Sequence, residues 1–173
     1  MSDQLTIMGI DPGTATVGYG VLKFWPRDNF EYLTSGIIHT PSTLSAGKRL
    51  NMIRCDLECL LKDFTPDVLV VEAIFFFKNA KTLVPVAQAR GVILEIAAAL
   101  DIKTVEYSPV QVKLHLTGHG RAEKSVVQSS VARLLGLPQI IRPDDASDAL
   151  ALAVCHARLG FVSEGPAGAI FSI

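Results

Sequence analysis

Asp67-Val68-Leu69-Val70-Val71-Glu72 is the stretch that decides the fold. Four apolar residues in succession suit a strand buried on both faces, at the centre of a sheet. A Glu directly behind such a run is rarely buried without a partner. Residues 5–10 form a second short apolar run, ending in Asp11-Pro12-Gly13, a turn signal. If the two runs are parallel neighbours, Asp11 and Glu72 meet at one end of the sheet. Ligand sites in such sheets lie there, beyond the carboxyl ends of the strands.

The pattern extends outward from these runs. Residues 18–25 and 30–40 read as two strands joined by a turn at 26–29, an antiparallel hairpin. Residues 45–64 read as a helix, with Leu50, Ile53, Leu57, Leu60 and Phe64 on one face. Residues 79–100 predict a long helix that Pro85 starts or kinks. Its second half is apolar almost all round, so it is either deeply buried or packed on another subunit. Residues 102–107 form a fifth strand, and Ser108-Pro109 caps and opens a helix. Residues 123–135 predict another helix, stopped by Gly136 and Pro138. The last helix is expected from Asp144 to Gly160, with a peripheral tail over 161–173. Antiparallel strands followed by helical crossovers imply an α/β fold: one domain over 1–173, with a mixed five-stranded sheet and helices on both faces.

The 173 residues are 49% hydrophobic and 19% charged. That excludes a disordered chain and implies a dense core, an apolar subunit interface, or both. The net charge of −1 argues weakly against a nucleic-acid partner, while its distribution leaves one open. Residues 1–77 carry −3, 78–142 carry +5 and 143–173 carry −3. Such an arrangement fits either a polyanion-binding surface beside an acidic pocket or chance variation in a modest count of charges. Cys55, Cys59 and Cys155 lack Cys-x-x-Cys spacing, which favours a reducing compartment and buried thiols. Cys55 and Cys59 read as small packing residues. No signal peptide is expected from the start MSDQLTIMGID, and no apolar stretch nears the ~18 residues of a membrane span. A cytoplasmic location follows as the expectation.

Asp145 and Asp148 stand at i and i+3 in the last helix, on the face that continues through Leu152. Both therefore point toward the sheet. With Asp11 and Glu72 they form four carboxylates converging on a partly dry site, where either their pKa values rise or a cation sits among them. Oxygen ligands without His or Cys fit one or two Mg²⁺. Two such ions can activate water and stabilise a leaving oxygen in phosphodiester cleavage. Structural alternatives exist for three of the acids. Asp145 could cap the helix, Asp148 could complement its dipole, and Asp11 could simply form the turn. Asp144, furthest out, is the better pure capping residue.

Phe75-Phe76-Phe77-Lys78-Asn79 follows Glu72 closely. Exposed aromatics beside Lys stack on nucleic-acid bases, although the loop could also fold onto its own core. Thr117 to Lys124 is a Gly-rich turn into a helix, where amides helped by Arg121 and Lys124 can hold a phosphate. Lys113 adds a third basic side chain, and His119 lies within the turn. His39, His115 and His156 have no metal-ligand spacing and are assigned structural or surface roles.

Assembled in order, these residues resemble the RuvC family of Holliday junction resolvases. The likeness runs from Ile7 to about Arg158. It rests on Gly9 to Gly13 with Gly18-Tyr19-Gly20-Val21, Val71-Glu72 with Phe75 and Lys78-Asn79, Gln88 to Gly91, Gln111-Val112-Lys113, Gly118 to Ser125, and Asp145 to Ala151. The resemblance implies a ribonuclease H-like fold and a homodimer that cuts symmetric strands of a four-way DNA junction, as a crossover junction endodeoxyribonuclease in recombination and repair. It implies Asp11, Glu72, Asp145 and Asp148 as catalytic acids binding Mg²⁺ or Mn²⁺. Lys113 and Lys124 fall near the scissile phosphate, and Phe75 falls on the junction-contacting aromatic. Lys78, His119 and Arg121 are further DNA-contacting candidates. RuvA and RuvB, the branch-migration proteins, are the implied partners. Ala73-Ile74 after Glu72, the extra bulk of Phe76 and Phe77, and the added charge of Asp144 depart from the family pattern. Two rival functions are a junction-binding dimer that does not cut, and a fragment of an actin-like phosphate-loop ATPase or kinase. The second rival would need another lobe.

Overall fold

The computed structural model describes residues 4–74 and 80–163, with the backbone alone for 80–82 and 160–163. In chain order these contain β1 (Leu5–Asp11), β2 (Thr16–Trp25), β3 (Asn29–His39), α1 (Ala46–Phe64), β4 (Val68–Glu72), α2 (Ala80–Ala99), β5 (Lys103–Tyr107), α3 (Pro109–Thr117), α4 (Lys124–Leu134) and α5 (Asp144–Ser163). The strands form one sheet in the order β3-β2-β1-β4-β5. β1, β2 and β3 are antiparallel, while β4 runs parallel to both β1 and β5. The expected mixed sheet is therefore present, and β4 is flanked on both sides with its four apolar residues buried.

Strand alternation sorts the core into two layers. Met8, Ile10, Val17, Val21, Leu69 and Val71 face α1 and α2. Ile7, Leu22, Phe24, Val68 and Val70 face the other layer, built on α3, α4 and α5. The same alternation turns Asp11 and Glu72, four residues beyond Ile7 and Val68, toward the α5 layer.

α1 buries Ile53, Leu57 and Leu61, a stripe four residues apart. Cys55 and Cys59 lie two positions off that stripe, about 200° around a helix, and both are exposed. This corrects the expectation that they pack in the core; only Cys155 is buried. On α2, Ala89, Ile93, Ile96 and Ala97 are buried, whereas Val84 remains 58% exposed. One side of this apolar helix thus serves the core and another is open. Pro85 sits inside α2, in its second turn. α3 begins as anticipated, with a capping box between Ser108 and Gln111 and Pro109 at its first turn.

α5 continues past Gly160 to Ser163, three residues beyond its expected end. A lone glycine costs about 1 kcal/mol in a helix and does not stop it unaided. The helix lies directly on β1 and β2, and strand glycines make this possible. A Cβ on Gly9 would fall 1.9 Å from the Ala149 carbonyl oxygen. One on Gly18 would fall 2.1 Å from the Asp145 carbonyl oxygen, and one on Gly20 2.5 Å from Leu150 Cγ. The helix answers with its own small residues, Ala146, Ala149 and Ala153, all fully buried. Further along, the Tyr107 hydroxyl and His156 Nδ1 lie 2.9 Å apart, tying β5 to α5. Burial, then the nearby Lys103 charge, lowers the His156 pKa to about 4, so this ring is neutral near pH 7.

This close seat predicts that Gly9→Ala and Gly18→Ala each lower the thermal midpoint by roughly 3–12 °C, from ~1–3 kcal/mol of overpacking. Gly47→Ala, with no atom within 4 Å of the added Cβ, should hold or slightly raise it. Melting curves of the three variants check this, and equal midpoints for all three would contradict it.

Candidate active site

The site is built at the carboxyl ends of β1 and β4. Their parallel register runs to Ile10 opposite Val71, so Asp11 and Glu72 occupy the next step of the ladder. The Ala73 amide bonds to the Tyr107 carbonyl at 2.9 Å and carries the β4–β5 pairing one residue past Glu72. Opposite these acids, the first turn of α5 carries Asp145, and Asp148 follows one turn on. Glycines beneath α5 hold this turn against β2, at Gly18.

The four acids are within electrostatic reach of one another. Burial, then the charges of Glu72, Asp148 and Asp145, raises the Asp11 carboxyl to about 8. Burial, then Asp148, also raises Glu72. Burial raises Asp148, against a partial pull downward from Lys124. Asp145 Oδ2 accepts a hydrogen bond from the Thr16 hydroxyl at 3.0 Å, which fixes its orientation.

Lys124 opens α4 and closes the outer side of the site. Its Nζ lies 2.6 Å from Asp148 Oδ2 and 3.4 Å from Asp144 Oδ2. Burial works to lower this ammonium, but the two carboxylates outweigh it and hold its pKa above the ordinary lysine value. Asp144, expected as a helix cap, instead gives its carboxylate to side chains. It accepts from Gln128 Nε2 at 3.1 Å and pairs with Arg142. The Gln128 bond and the surrounding cations hold its carboxyl below the usual range.

Among the described residues, no three His, Cys, Asp or Glu side chains draw together closely enough to hold an ion. Asp148 is turned to Lys124 instead. The donor set nevertheless fits a hard divalent cation. All of its ligand atoms are carboxylate oxygens, and the innermost acid is pushed up by burial and by its three like-charged neighbours. Lys124 supplies part of the counter-charge such an ion would provide.

The other sequence candidates are spread around this centre. Lys113 is half-buried on α3, and its ammonium pairs with no carboxylate among the described residues. His119 and Arg121 are exposed on the turn from α3 to α4. That turn is folded by bonds from the His119 amide to the Thr117 hydroxyl and from the Ala122 amide to the His119 carbonyl. The α4 N-terminus has no side-chain cap; the Val126 and Val127 amides bond to the Glu123 carbonyl, which leaves the Lys124 and Ser125 amides to face an anion. Phe75 and Lys78, with Phe76 and Phe77, lie outside the described residues. Thr16, Gln128 and Arg142 enter the site unforeseen. Thr16 stands five residues after Asp11, at the start of β2 across the connecting turn. Nothing local in sequence singles out the other two.

With Asp11 raised this far, a proton on it stabilises the metal-free fold. That contribution is full below about pH 4 and is lost as pH rises through about 8. Asp11→Asn should therefore gain in thermal midpoint over the unaltered protein as pH goes from 5 to 8 in chelator. Added Mg²⁺ should narrow that gap by stabilising the unaltered protein more than the variant. Parallel pH curves for the two proteins would contradict the assignment.

Comparison with known proteins gives consistent matches. Residues 7–156 match the family model described as crossover junction endodeoxyribonuclease RuvC. A crossover junction endodeoxyribonuclease RuvC from Syntrophomonas wolfei is 49% identical over 152 residues, 88% of each chain. One from Fusobacterium nucleatum is 41% identical, covering 88% of this chain and 80% of its own. Among solved structures, Thermus thermophilus RuvC in complex with Holliday junction substrate superposes with a TM-score of 0.87 at 32% identity, covering 91% of this chain and 96% of that one. The yeast mitochondrial Holliday junction resolvase Ydc2, at 13% identity and a TM-score of 0.67, shares the fold. No helix among the described residues is long and apolar enough to cross a membrane.

Proposed function

The chain belongs to the RuvC family of crossover junction endodeoxyribonucleases, and from that premise we propose that it resolves four-way DNA junctions by paired, symmetric hydrolysis of phosphodiester bonds. One observation carries this reading beyond the family likeness. Two strand-end acids and two helix acids face one another across the edge of the sheet, with a lysine at the rim.

Asp11, Glu72, Asp145 and Asp148 would hold Mg²⁺, or Mn²⁺ in its place, as one or two ions per subunit; the bound cation supplies Lewis acidity toward water and the departing oxygen. Thr16 keeps Asp145 turned into the site. Lys124, released from Asp148, and Lys113 set positive charge against the phosphate as its own charge grows. Cleavage leaving a 5′-phosphate needs no covalent intermediate. Phe75 stacks on the junction, and Lys78, His119 and Arg121 contact its backbone. The anion-ready start of α4 supports the placement of the last two.

Resolution needs two cuts related by symmetry, so a homodimer belongs to the same proposal. Its support is the open side of α2, where Val84 is 58% exposed on a helix with an already buried opposite face. RuvA and RuvB would be the protein partners that deliver the junction.

Cleavage of a synthetic mobile four-way junction in Mg²⁺ tests the proposal. The unaltered protein should give paired nicks on opposite strands. Asp11→Asn and Glu72→Gln should each cut more than about 1,000-fold more slowly while still binding the junction. Binding without nicks by the unaltered protein, across several junction sequences and divalent ions, would favour a non-cutting junction binder instead.

A further inference from the structure

Lys124 has two carboxylate neighbours, and only one of them belongs to the four-acid set. Asp148 Oδ2 takes the shorter contact at 2.6 Å, and Asp144 Oδ2 takes the longer at 3.4 Å. The second carboxylate is held from behind. Its other oxygen, Oδ1, accepts from Gln128, a residue only 5% exposed, and pairs with Arg142 on the segment leading into α5. Gln128 and Lys124 are four residues apart on α4 and project from the same side of that helix. Asp144 therefore bridges the start of α4 to the start of α5, with one oxygen immobilised and the other turned to the ammonium.

The contact with Asp148 conflicts with the role proposed for that acid. An ammonium pressed against a ligand carboxylate competes with a divalent ion for the same negative charge. When Asp148 turns to the ion, Lys124 must move outward, toward the incoming phosphate. A lysine has a long stem and loses rotamer freedom when held in one place, so an unanchored Lys124 would disperse into solvent at that point. A second carboxylate, Asp144, already lies beside it.

We infer that Asp144 is a positioning residue for Lys124, receiving its ammonium when Asp148 takes up the metal and keeping it at the rim of the site where the phosphate arrives. Gln128 and Arg142 fix the receiving carboxylate. This inference rests on the reading of Asp148 as a ligand and of Lys124 as the phosphate-facing charge. Asp144 touches neither reacting group and acts only through Lys124. Its side chain is 43% exposed, so Asp144→Asn should fold normally.

The test is a double-mutant cycle between Asp144→Asn and Lys124→Met, read first by Mn²⁺ binding to the full chain without DNA. If Asp144 receives the displaced lysine, Asp144→Asn weakens Mn²⁺ binding at least three-fold more with Lys124 present than in Lys124→Met. Equal weakening in both backgrounds, or none in either, would overturn the inference, since a carboxylate acting directly on the ion needs no lysine. Single-turnover cleavage of a four-way junction at saturating Mg²⁺ forms the second arm. There Asp144→Asn should slow the cut at least five-fold with little change in junction affinity, and Asp144→Glu should recover part of the rate. An undiminished rate would overturn the inference as well. If the unaltered protein cuts no junction, the resolvase reading fails, while the Mn²⁺ cycle still decides the role of Asp144. Thermal midpoints of all variants within a few degrees of one another establish that folding is not what is being measured.

Discussion

At three strand positions beneath α5, Gly9, Gly18 and Gly20, no methyl group fits. There the helix rides on the strands so closely that a Cβ at any of them would enter a carbonyl or a leucine side chain. The other features of the site depend on this seat. It sets the height of Asp145 and Asp148 above Asp11 and Glu72, and it brings the α5 N-terminus within reach of Thr16 on β2. The buried Ala146, Ala149 and Ala153 are the helix's half of the same arrangement. Bulkier side chains would lift the helix and open the site to water.

The acids brought together in this way repel one another, and the fold carries that repulsion because hydrophobic burial elsewhere outweighs it. Two apolar layers, one on each face of the sheet, supply the compensation. What remains at the sheet edge is a high local demand for positive charge. Lys124 meets part of it, Arg142 another part through Asp144, and a divalent cation is the natural remainder. The site is thus organised by an unmet electrostatic requirement more than by any hydrogen-bond network of its own.

Much of this was legible in the residues themselves. The uninterrupted run from Val68 to Val71 marks an interior strand, and a strand's period of two carries Glu72 and Asp11 to one face. The spacing of Asp145 and Asp148 places them on one side of a helix. What depends on the approach of two helices was not legible. The link from Gln128 through Asp144 to Lys124 exists only because α4 and α5 meet at their N-termini, and no spacing in the chain encodes that meeting. The alternation Gly18-x-Gly20 did carry a signal of close backbone approach, visible only once a helix is known to lie above it. Cys55 and Cys59 are apolar enough to suggest packing, yet their offset from the Ile53-Leu57-Leu61 stripe turns them to solvent. Gly160 is a stop signal that the helix passes through.

The parallel pairing of β1 with β4 has a consequence for how this chain can change over evolutionary time. Ile7 and Asp11 are separated by an even number of steps, as are Val68 and Glu72, and each acid shares its face with the residue that anchors its strand in the core. Inserting or deleting a single residue within either strand turns one acid toward the α1 and α2 layer and strips the site of it. Changes of two residues preserve the face but move the acid by about 6.6 Å along the strand, away from its partner. The lengths of these two strands are therefore locked to each other as well as to the core. Drift in chain length should accumulate elsewhere, as at the β2–β3 turn, where no acid has to be counted into place.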